Sequence, residues 1–153
     1  MKKLFIFSDT HGNFSAIEKL IPIMRESDYI IHLGDVRTDL KVLDAELYNK
    51  TFFVLGNCDG GGDDAVIDIE GVKILLTHGD KYGVKNSLLR LYYKAKESGV
   101  NAVLFGHTHS AFIEEKDGIT FINPGTMNRY SQKSYCYAVI NGDKIIAKTV
   151  YFD

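Results

Sequence analysis

The sequence predicts an α/β fold in which a mixed β-sheet system carries helices on its outer faces. Three observations support this class. Short apolar runs end in polar or glycine-rich corners, segments with helical periodicity lie between several of these runs, and from Ala111 onward short strands alternate with turn sequences. In order, the chain reads β-α-β-α-β-β-β-α-β, followed by a β-meander.

Five apolar runs have the length and composition of buried strands. Each ends where polar residues or glycines begin, as expected where the carboxyl end of a strand opens into a functional loop. The runs are residues 4–7, 29–33, 52–55, 72–77 and 102–105. The corners that follow them begin at Ser8, Gly34, Gly56, His78 and Gly106.

Three segments show the apolar spacing of amphipathic helices, with apolar residues three and four positions apart. The first has a candidate N-cap at Asn13 or Ser15 and an interruption at Pro22. The apolar positions are Ala16, Ile17, Leu20, Ile23 and Met24 in the first helix, Leu40, Leu43 and Leu47 in a shorter second helix, and Leu88, Leu89, Leu91, Tyr92 and Ala95, before Gly99, in the third.

The meander is predicted from four short strands with turn sequences between them. Asp117-Gly118 and Asn141-Gly142 are dipeptides typical of β-hairpin turns, and Pro124-Gly125 separates the middle pair of strands. The predicted strands are residues 112–115, 119–122, 135–140 and 145–151.

The composition is that of an ordinary globular chain. Its 153 residues carry 18 Lys and Arg against 20 Asp and Glu, a formal net charge of −2, and 45% of them are hydrophobic. We expect a single domain, residues 1–153, with its own buried core. The balanced charge and a pI of about 6.2 argue against an extended nucleic-acid-binding surface. Any anionic ligand therefore needs a local site.

The chain shows no sign of a targeting segment or of paired cysteines. The apolar start ends at Ser8, short of the length that a secretory signal needs. No apolar run approaches the roughly 18 to 20 residues of a membrane span. Cys58 and Cys136 match no CxxC spacing. We therefore expect no membrane partner and a reducing, cytoplasmic location.

Seven residues with metal-ligand chemistry fall just after predicted strands. The carboxyl ends of neighbouring strands in an α/β sheet form a common crevice, so these side chains are expected to converge. In extended backbone, the side chains of Asp9 and His11 would point to the same side. Carboxylate oxygen with imidazole nitrogen favours Mn²⁺, Fe²⁺, Zn²⁺ or Ni²⁺ over calcium. The seven residues are Asp9, His11, Asp35, Asn57, His78, His107 and His109.

The fifth histidine has a structural interpretation. His32 lies within an apolar run, Tyr29-Ile30-Ile31-His32-Leu33, so we expect it to be packed in the sheet. Asp9 and Asp35, by contrast, each end an apolar strand and need partners for half-buried charges. A metal centre would supply that partner for both.

Five short motifs resemble, in order, those of the calcineurin-like metallophosphoesterase superfamily. They are Asp9-x-His11, Gly34-Asp35, Gly56-Asn57-x-Asp59, His78-Gly79 and Gly106-His107-x-His109. Asn123-Pro124-Gly125-Thr126 followed by Arg129 is similar to an element of the small, cap-less YfcE-like phosphodiesterase branch. The resemblance runs from about Lys3 to Arg129. It implies the metallo-dependent phosphatase fold, a four-layer αββα sandwich of two mixed β-sheets flanked by helices.

The resemblance also implies two divalent metal ions per chain, with Mn²⁺ expected first and Ni²⁺, Fe²⁺, Zn²⁺ or Mg²⁺ as alternatives. By motif position, Asp35 would bridge the two ions. The first ion would be bound by Asp9, His11 and His109, and the second by Asn57, His78 and His107. A hydroxide between the ions would attack phosphorus. Two divalent ions and two carboxylates leave about +2 of charge for an anionic phosphate.

The sequence departs from the family pattern at Cys58 and Asp80. Cys58 stands where many members carry a histidine that assists the leaving group, and a thiol is a poorer proton donor for this purpose. Phosphodiesters with good leaving groups are therefore favoured over alkyl monoesters. The alternative for Cys58 is a small inert residue that lines the site. Asp80 stands where relatives often have histidine; it would repel substrate, alter metal preference or face solvent.

Two further residues near these motifs, Asp59 and Arg129, are candidates for the site. Asn57 and Asp59 join Cys58 as candidate catalytic residues, and Asp59 is expected to orient a neighbour by hydrogen bonding. Arg129 is a candidate substrate-binding residue because its guanidinium can donate two hydrogen bonds to a phosphate. Its alternative is an ordinary surface arginine.

The leading hypothesis is a metal-dependent phosphodiesterase that hydrolyses a small phosphodiester. One alternative is a non-catalytic protein-interaction scaffold like Vps29, a relative that resembles this fold and has lost parts of the ligand set. A second alternative is a phosphomonoesterase. The sequence leaves homo-oligomerisation and the physiological substrate open.

Overall fold

The computed structural model describes residues 1–153 and contains ten β-strands and three α-helices. The strands are β1 (Lys2–Phe7), β2 (Tyr29–His32), β3 (Thr51–Phe53), β4 (Ala65–Ile69), β5 (Val72–Leu76), β6 (Ala102–Leu104), β7 (Phe112–Lys116), β8 (Ile119–Asn123), β9 (Lys133–Asn141) and β10 (Lys144–Phe152). The α-helices are α1 (Phe14–Glu26), α2 (Ala45–Tyr48) and α3 (Leu89–Ser98), and short 3₁₀ helices lie at Arg37–Val42, Asn57–Asp59 and Asp80–Tyr82. None of the helices has the length and apolar character needed to cross a membrane.

The strands form two mixed sheets of five strands each. The first has the order β10-β9-β1-β2-β3 and the second the order β4-β5-β6-β8-β7. Strands β1, β2 and β3 are parallel, as are β5, β6 and β8, whereas β4, β7, β9 and β10 pair antiparallel with their neighbours. Because parallel strands run in one direction, the loops after β1, β2 and β3 lie at one edge of the first sheet. Those after β5 and β6 lie at one edge of the second.

Neighbouring side chains of β1 show how the layers stack, since successive residues of a strand face opposite sides of a sheet. Leu4 lies in a buried cluster with Ile74 of the second sheet, so this cluster fills the space between the two sheets. Phe5 faces the other way and packs in a cluster with Ile17 of α1. A third cluster packs the second sheet against α3 through Leu91. This arrangement confirms the four-layer αββα sandwich.

The predicted order of elements along the chain is confirmed, and most boundaries agree to within about two residues. The prediction that the last four strands form a β-meander is wrong, because β7 and β8 pair in the second sheet whereas β9 and β10 pair in the first. The predicted order contains a strand without bounds between residues 52–55 and 72–77, and β4 is that strand. The prediction of one continuous second helix is wrong, because this segment divides into the 3₁₀ helix Arg37–Val42 and α2. Leu43 between them has extended backbone, and the Asp44 side chain caps α2 by accepting the Leu47 N–H at 3.0 Å. A strong N-cap thus starts a new helix where apolar spacing alone indicated continuity.

Helix α1 begins at the first of its two candidate caps. Asn13 Oδ1 accepts the Ala16 N–H at 3.3 Å, which satisfies one of the free donors at the helix start. Pro22 lies inside the helix on its exposed side. Water can therefore hydrate the carbonyl that loses its intrahelical partner there.

His32 is fully buried in β2, as the sequence predicts. Gly34 N–H donates to His32 Nδ1 at 3.1 Å, so the neutral ring carries its proton on Nε2. Nε2 lies 3.3 Å from Thr10 Oγ1, and this hydroxyl donates its own proton to Asp39 Oδ2 at 2.7 Å. Burial lowers the pKa of His32 to about 4, so the ring is neutral at physiological pH.

The buried neutral imidazole predicts a loss of stability in mild acid. In the unfolded chain the pKa of His32 is about 6.5, whereas in the folded chain it is about 4. Between these values the unfolded state binds more protons, so this residue lowers the free energy of unfolding as the pH falls. The loss should approach about 3 kcal/mol near pH 4.

Thermal unfolding between about pH 7 and pH 4 measures this effect against a matched variant. His32→Asn keeps an acceptor for the Gly34 N–H but does not titrate, so its stability should depend less steeply on pH. Equal slopes for the wild type and the variant would contradict the prediction.

Candidate metal centre

Six of the seven predicted ligand residues converge at the carboxyl ends of the strands. Asp9 and His11 follow β1, Asp35 follows β2, His78 follows β5, and His107 and His109 follow β6. Their ligand atoms form two groups, and within each group all atoms lie within 4.8 Å of one another. The first group is Asp9, His11, Asp35 and His109, and the second is Asp35, His78 and His107. Asp35 belongs to both groups.

Asp9 Oδ1 lies at the centre of the first group. It is 3.1 Å from His109 Nε2 and 3.8 Å from His11 Nε2. The two imidazole nitrogens are themselves 3.3 Å apart. One carboxylate oxygen and two ring nitrogens thus approach one another closely, as ligands of a shared cation do.

Asp35 presents one oxygen to the backbone and the other to both groups. Its Oδ1 accepts the Cys58 N–H at 2.9 Å, which fixes the carboxylate. Its Oδ2 is 3.4 Å from His78 Nε2 and 3.8 Å from His11 Nε2. An oxygen placed between two sets of imidazoles suits a ligand that is shared by two ions.

The two oxygens of the fully buried Asp9 differ in their contacts. Oδ2 accepts the Ser8 hydroxyl at 2.5 Å and the His107 N–H at 3.1 Å. Oδ1 accepts no hydrogen bond. A buried acceptor without a partner costs about 1 to 3 kcal/mol, and more if it is charged. A divalent cation between Oδ1 and the imidazole nitrogens would supply the missing partner, so the donor set fits a metal ion.

The ionisation states of the carboxyl groups also fit a cation site. Burial by itself raises the pKa of Asp9, but the imidazoles of His109 and His11 hold it well below its usual range. Burial opposes ionisation of Asp35 too, yet His78 and the Cys58 N–H lower its pKa. Both carboxyl groups are therefore negatively charged at neutral pH.

The backbone at the ligand residues is in the left-handed region. Five of these residues have positive φ, namely Asp9 (53°), His11 (44°), Asp35 (62°), His107 (71°) and His109 (62°). The expectation that extended backbone brings Asp9 and His11 to one side is therefore wrong. Strand β1 ends at Phe7, and tight turns bring the two side chains together. Such conformations cost about 1 to 3 kcal/mol each and persist only where surrounding contacts impose them.

At two glycines, the carboxylates occupy the space in which a side chain would lie. A Cβ on Gly56 would lie 2.2 Å from Asp35 Oδ1, and a Cβ on Gly106 would lie 2.7 Å from Asp9 Oδ2. Both distances are too short for any side chain. The glycines of the third and fifth motifs are therefore required by the close approach of backbone to carboxylate.

His78 is oriented by the backbone of the opposite sheet. Its Nδ1 donates to the Leu33 carbonyl at 2.7 Å, which leaves the Nε2 lone pair free. Nε2 faces Asp35 Oδ2 and also lies 3.2 Å from His107 Nδ1. The ring thus has the tautomer and the direction that a metal-binding imidazole needs.

Asp59 ties the loops after β2 and β3 together. Its Oδ2 accepts the N–H groups of Asp35 and Gly56, each at 3.0 Å, and its Oδ1 accepts the Arg37 N–H at 2.8 Å. All three donors are backbone groups. This geometry agrees with the expectation that Asp59 orients a neighbour, and that neighbour is Asp35.

Sequence reasoning missed Asp39, which holds the loop around His11. Its buried Oδ2 accepts the Thr10 hydroxyl and the Gly12 N–H, both at 2.7 Å. These donors flank His11 on either side. The only signal in the sequence is an aspartate beside Leu40 in a segment with helical spacing, which does not reveal this contact.

Asn123 and Thr126 hold the other ligand loops. Asn123 Nδ2 donates to the Gly106 carbonyl at 3.1 Å and to Thr108 Oγ1 at 3.0 Å. Thr126 Oγ1 donates to the Asp9 carbonyl at 2.9 Å. The sequence indicates the Asn-Pro-Gly-Thr element only through a resemblance, and the structure gives it a positioning role.

Asn57 and Cys58 lie in an exposed 3₁₀ helix beside the two groups. Asn57 Nδ2 is 3.9 Å from Cys58 Sγ, and the Asn57 side chain forms no hydrogen bond to either group. Asn57 lies beside the centre through its neighbour Cys58, whose N–H donates to Asp35 Oδ1. Partial burial and the charge of Asp35 raise the pKa of the Cys58 thiol, so it is protonated at neutral pH.

Arg129 and Asp80 lie at the margin of the centre. Arg129 Nη2 donates to the Gly12 carbonyl at 3.3 Å, which places this exposed guanidinium on the loop next to His11. Asp80 is half-buried and opens the 3₁₀ helix that follows His78.

Comparisons with known proteins agree with this arrangement. Residues 1–144 match the model of the calcineurin-like phosphoesterase superfamily domain. The chain is 32% identical to the probable metallophosphoesterase YsnB of Bacillus subtilis, over 98% of this chain and 90% of that protein. It is 28% identical to the phosphodiesterase YfcE of Escherichia coli, over 84% of this chain and 80% of that protein.

A solved structure extends the likeness to the fold. Vacuolar protein sorting 29 from Cryptosporidium parvum aligns with a TM-score of 0.78 at 17% identity, over 99% of this chain and 97% of that one. At this identity the comparison supports the fold alone. The family model and the curated relatives confirm the resemblance inferred from the five motifs. The chain therefore belongs to the calcineurin-like phosphoesterase superfamily and is a metal-dependent phosphoesterase.

Proposed function

We propose that this phosphoesterase is a phosphodiesterase that acts through two divalent metal ions bound in a single domain. The observation that carries the proposal is Asp35 Oδ2, which lies 3.4 Å from His78 Nε2 and 3.8 Å from His11 Nε2 and so belongs to both ligand groups. Mn²⁺ is the first candidate for both positions, because carboxylate and imidazole ligands suit it. Ni²⁺, Fe²⁺, Zn²⁺ and Mg²⁺ are the alternatives.

The residues divide into two sets that share Asp35. Asp9, His11 and His109 would hold one ion, and His78 and His107 would hold the other. Asn57 is proposed to complete the second set through its amide oxygen. When bound, the two ions would supply a hydroxide at neutral pH and positive charge for the phosphoryl oxygens. The chain itself supplies fixed ligands and two ionised carboxylates.

Cys58 supports a diester rather than a monoester substrate. Its N–H is fixed on Asp35 Oδ1 at 2.9 Å, so the side chain stands at the edge of the centre. Burial and the charge of Asp35 raise the pKa of the thiol, which makes it a weak donor to a leaving alkoxide. Substrates whose leaving group needs little protonation are therefore favoured. Asp59 acts as a positioning residue, since its carboxylate accepts only backbone N–H groups from the loops around Asp35.

Arg129 is proposed to bind the substrate phosphate. Its guanidinium is exposed and touches the Gly12 carbonyl, one residue from His11. Its remaining N–H groups are free to donate to a phosphoryl oxygen.

A scaffold function and monoester hydrolysis are the competing candidates. The likeness to a Vps29 structure shows a shared fold, whereas the intact carboxylate and imidazole set favours catalysis. Activity assays with metal separate the scaffold from the enzyme, and paired diester and monoester substrates separate the two hydrolytic activities.

Metal removal tests the catalytic proposal. Activity on an activated aryl phosphodiester should fall at least about a hundredfold after chelation, since the site loses both the nucleophile and the charge that the ions supply. Addition of Mn²⁺ should restore it. Colorimetric release of the aryl alcohol is the measurement, and undiminished turnover by metal-free protein would reject the proposal.

Replacement of Cys58 tests its position at the leaving group. Cys58→His introduces a better proton donor, so turnover of a phosphomonoester should rise relative to the diester by about tenfold or more. Cys58→Ser is the matched control, because it is similar in size to cysteine and lacks an imidazole. An unchanged ratio in Cys58→His would remove this residue from the mechanism.

A further inference from the structure

A largely apolar groove runs along the second sheet beside α3. It consists of two adjoining cavities of about 320 Å³ and 380 Å³. Ser87, Leu88 and Phe112 line both cavities, so the two spaces are neighbours at these residues. Together they lie between the segment that precedes α3 and the edge strand β7.

One end of this groove lies near the metal centre. Thr108 lines the first cavity and lies between His107 and His109 in the sequence. Asn123 Nδ2 donates to Thr108 Oγ1 at 3.0 Å, which fixes this residue at the mouth. Lys85 lines the same cavity and places a positive charge beside it. A group that extends from a phosphate at the metal centre past Thr108 would therefore reach the groove.

The body of the groove is apolar. Val84 and Phe105 line the first cavity, and both are buried in the cluster between the second sheet and α3. Phe121 from the same cluster lines the second cavity, together with Leu89 and Tyr92 at the start of α3. Leu89 is 53% exposed, so this wall is accessible from solvent.

The far end of the groove is polar. Lys116 Nζ lies 4.7 Å from the centre of the Tyr92 ring, and the Tyr92 hydroxyl donates to Asp117. Glu114 also lines this end. The groove thus offers an apolar stretch of limited length, with a charged mouth near the metal centre and charged side chains at its end.

We propose that this groove binds one ester substituent of the substrate, an alkyl chain of several methylene groups attached to the phosphodiester. The inference rests on the proposed phosphodiesterase function and specifies its substrate class. Proximity to the metal centre identifies the occupant, because a chain that extends from the phosphate past Thr108 reaches the apolar walls. A peptide would need partners for its backbone groups, whereas the walls named above are mainly hydrocarbon and aromatic.

A series of p-nitrophenyl alkyl phosphates tests the substrate class in the metal-loaded enzyme. With methyl, butyl and octyl esters, kcat/KM should rise by about twofold to fourfold per added methylene until the groove is filled. An oligo(ethylene glycol) ester as long as the octyl chain is the matched polar control. Its kcat/KM should exceed that of the methyl ester far less than the octyl value does, because the groove stabilises a bound apolar chain and not a bound chain of the same length that is polar.

Two variants test the location of the binding site. Leu89→Asp places a charge in the wall, and Ser87→Trp fills the junction of the two cavities; both residues are exposed, so the fold should tolerate the changes. Each should lower the ratio of octyl to methyl kcat/KM by about tenfold or more. Ile146→Asp is the matched control, because Ile146 is 64% exposed on β10 of the other sheet. It should keep the wild-type ratio.

The outcomes separate this inference from the proposed function. No metal-dependent turnover of any ester in the series would refute both. Turnover of the methyl ester with a flat dependence on chain length would leave the phosphodiesterase intact and overturn the alkyl-chain assignment. A rising dependence that both groove variants leave unchanged would also overturn it, because the chain would then bind elsewhere.

Discussion

The site depends on two carboxylates that are held among four imidazoles at the ends of the strands. Asp9 is fully buried, and its Oδ1 accepts no hydrogen bond although His109 Nε2 lies 3.1 Å away. Asp35 turns one oxygen towards His11 and His78. Buried charge of this kind is costly unless it is paired. Divalent cations would neutralise both carboxylates and separate the crowded ring nitrogens.

Much of the surrounding structure serves to maintain this crowding. Non-glycine residues remain in left-handed conformations at the ligand positions, and Gly56 and Gly106 let the backbone approach the carboxylates to distances that no side chain permits. Asp59 and Asp39 bind the loops through backbone N–H groups and a hydroxyl. These contacts offset the backbone strain, so the ligands are positioned by the protein before any ion binds. The adjoining groove adds an apolar surface to a centre that is otherwise polar.

The order of elements along the chain was predictable from the apolar runs, and the meeting of six ligand residues was predictable because each follows such a run. The predicted β-meander was wrong, because local turn sequences do not show that β8 and β9 belong to different sheets. The division of the second helix was not predictable, because Asp44 is a single polar residue in a segment whose apolar spacing is continuous. The conformations of Asp9 and His11 were also not predictable from spacing. The roles of Asp39, Asn123 and Thr126 depend on contacts with residues 15 to 117 positions away, which no local pattern reveals. The groove was not predictable for the same reason, because it brings residues of α3 together with residues of β7 and β8.

The number of metal ions per chain tests the central claim most directly. After incubation with Mn²⁺ and removal of free metal, elemental analysis of the wild type should give two ions per chain. Asp35→Ala should lose both, because it removes the carboxylate that belongs to both ligand groups. Asp63→Ala, which removes an exposed carboxylate in the loop that follows Asp59, should keep two. Two tightly bound ions in Asp35→Ala, or fewer than two in the wild type, would contradict a centre built on a shared Asp35.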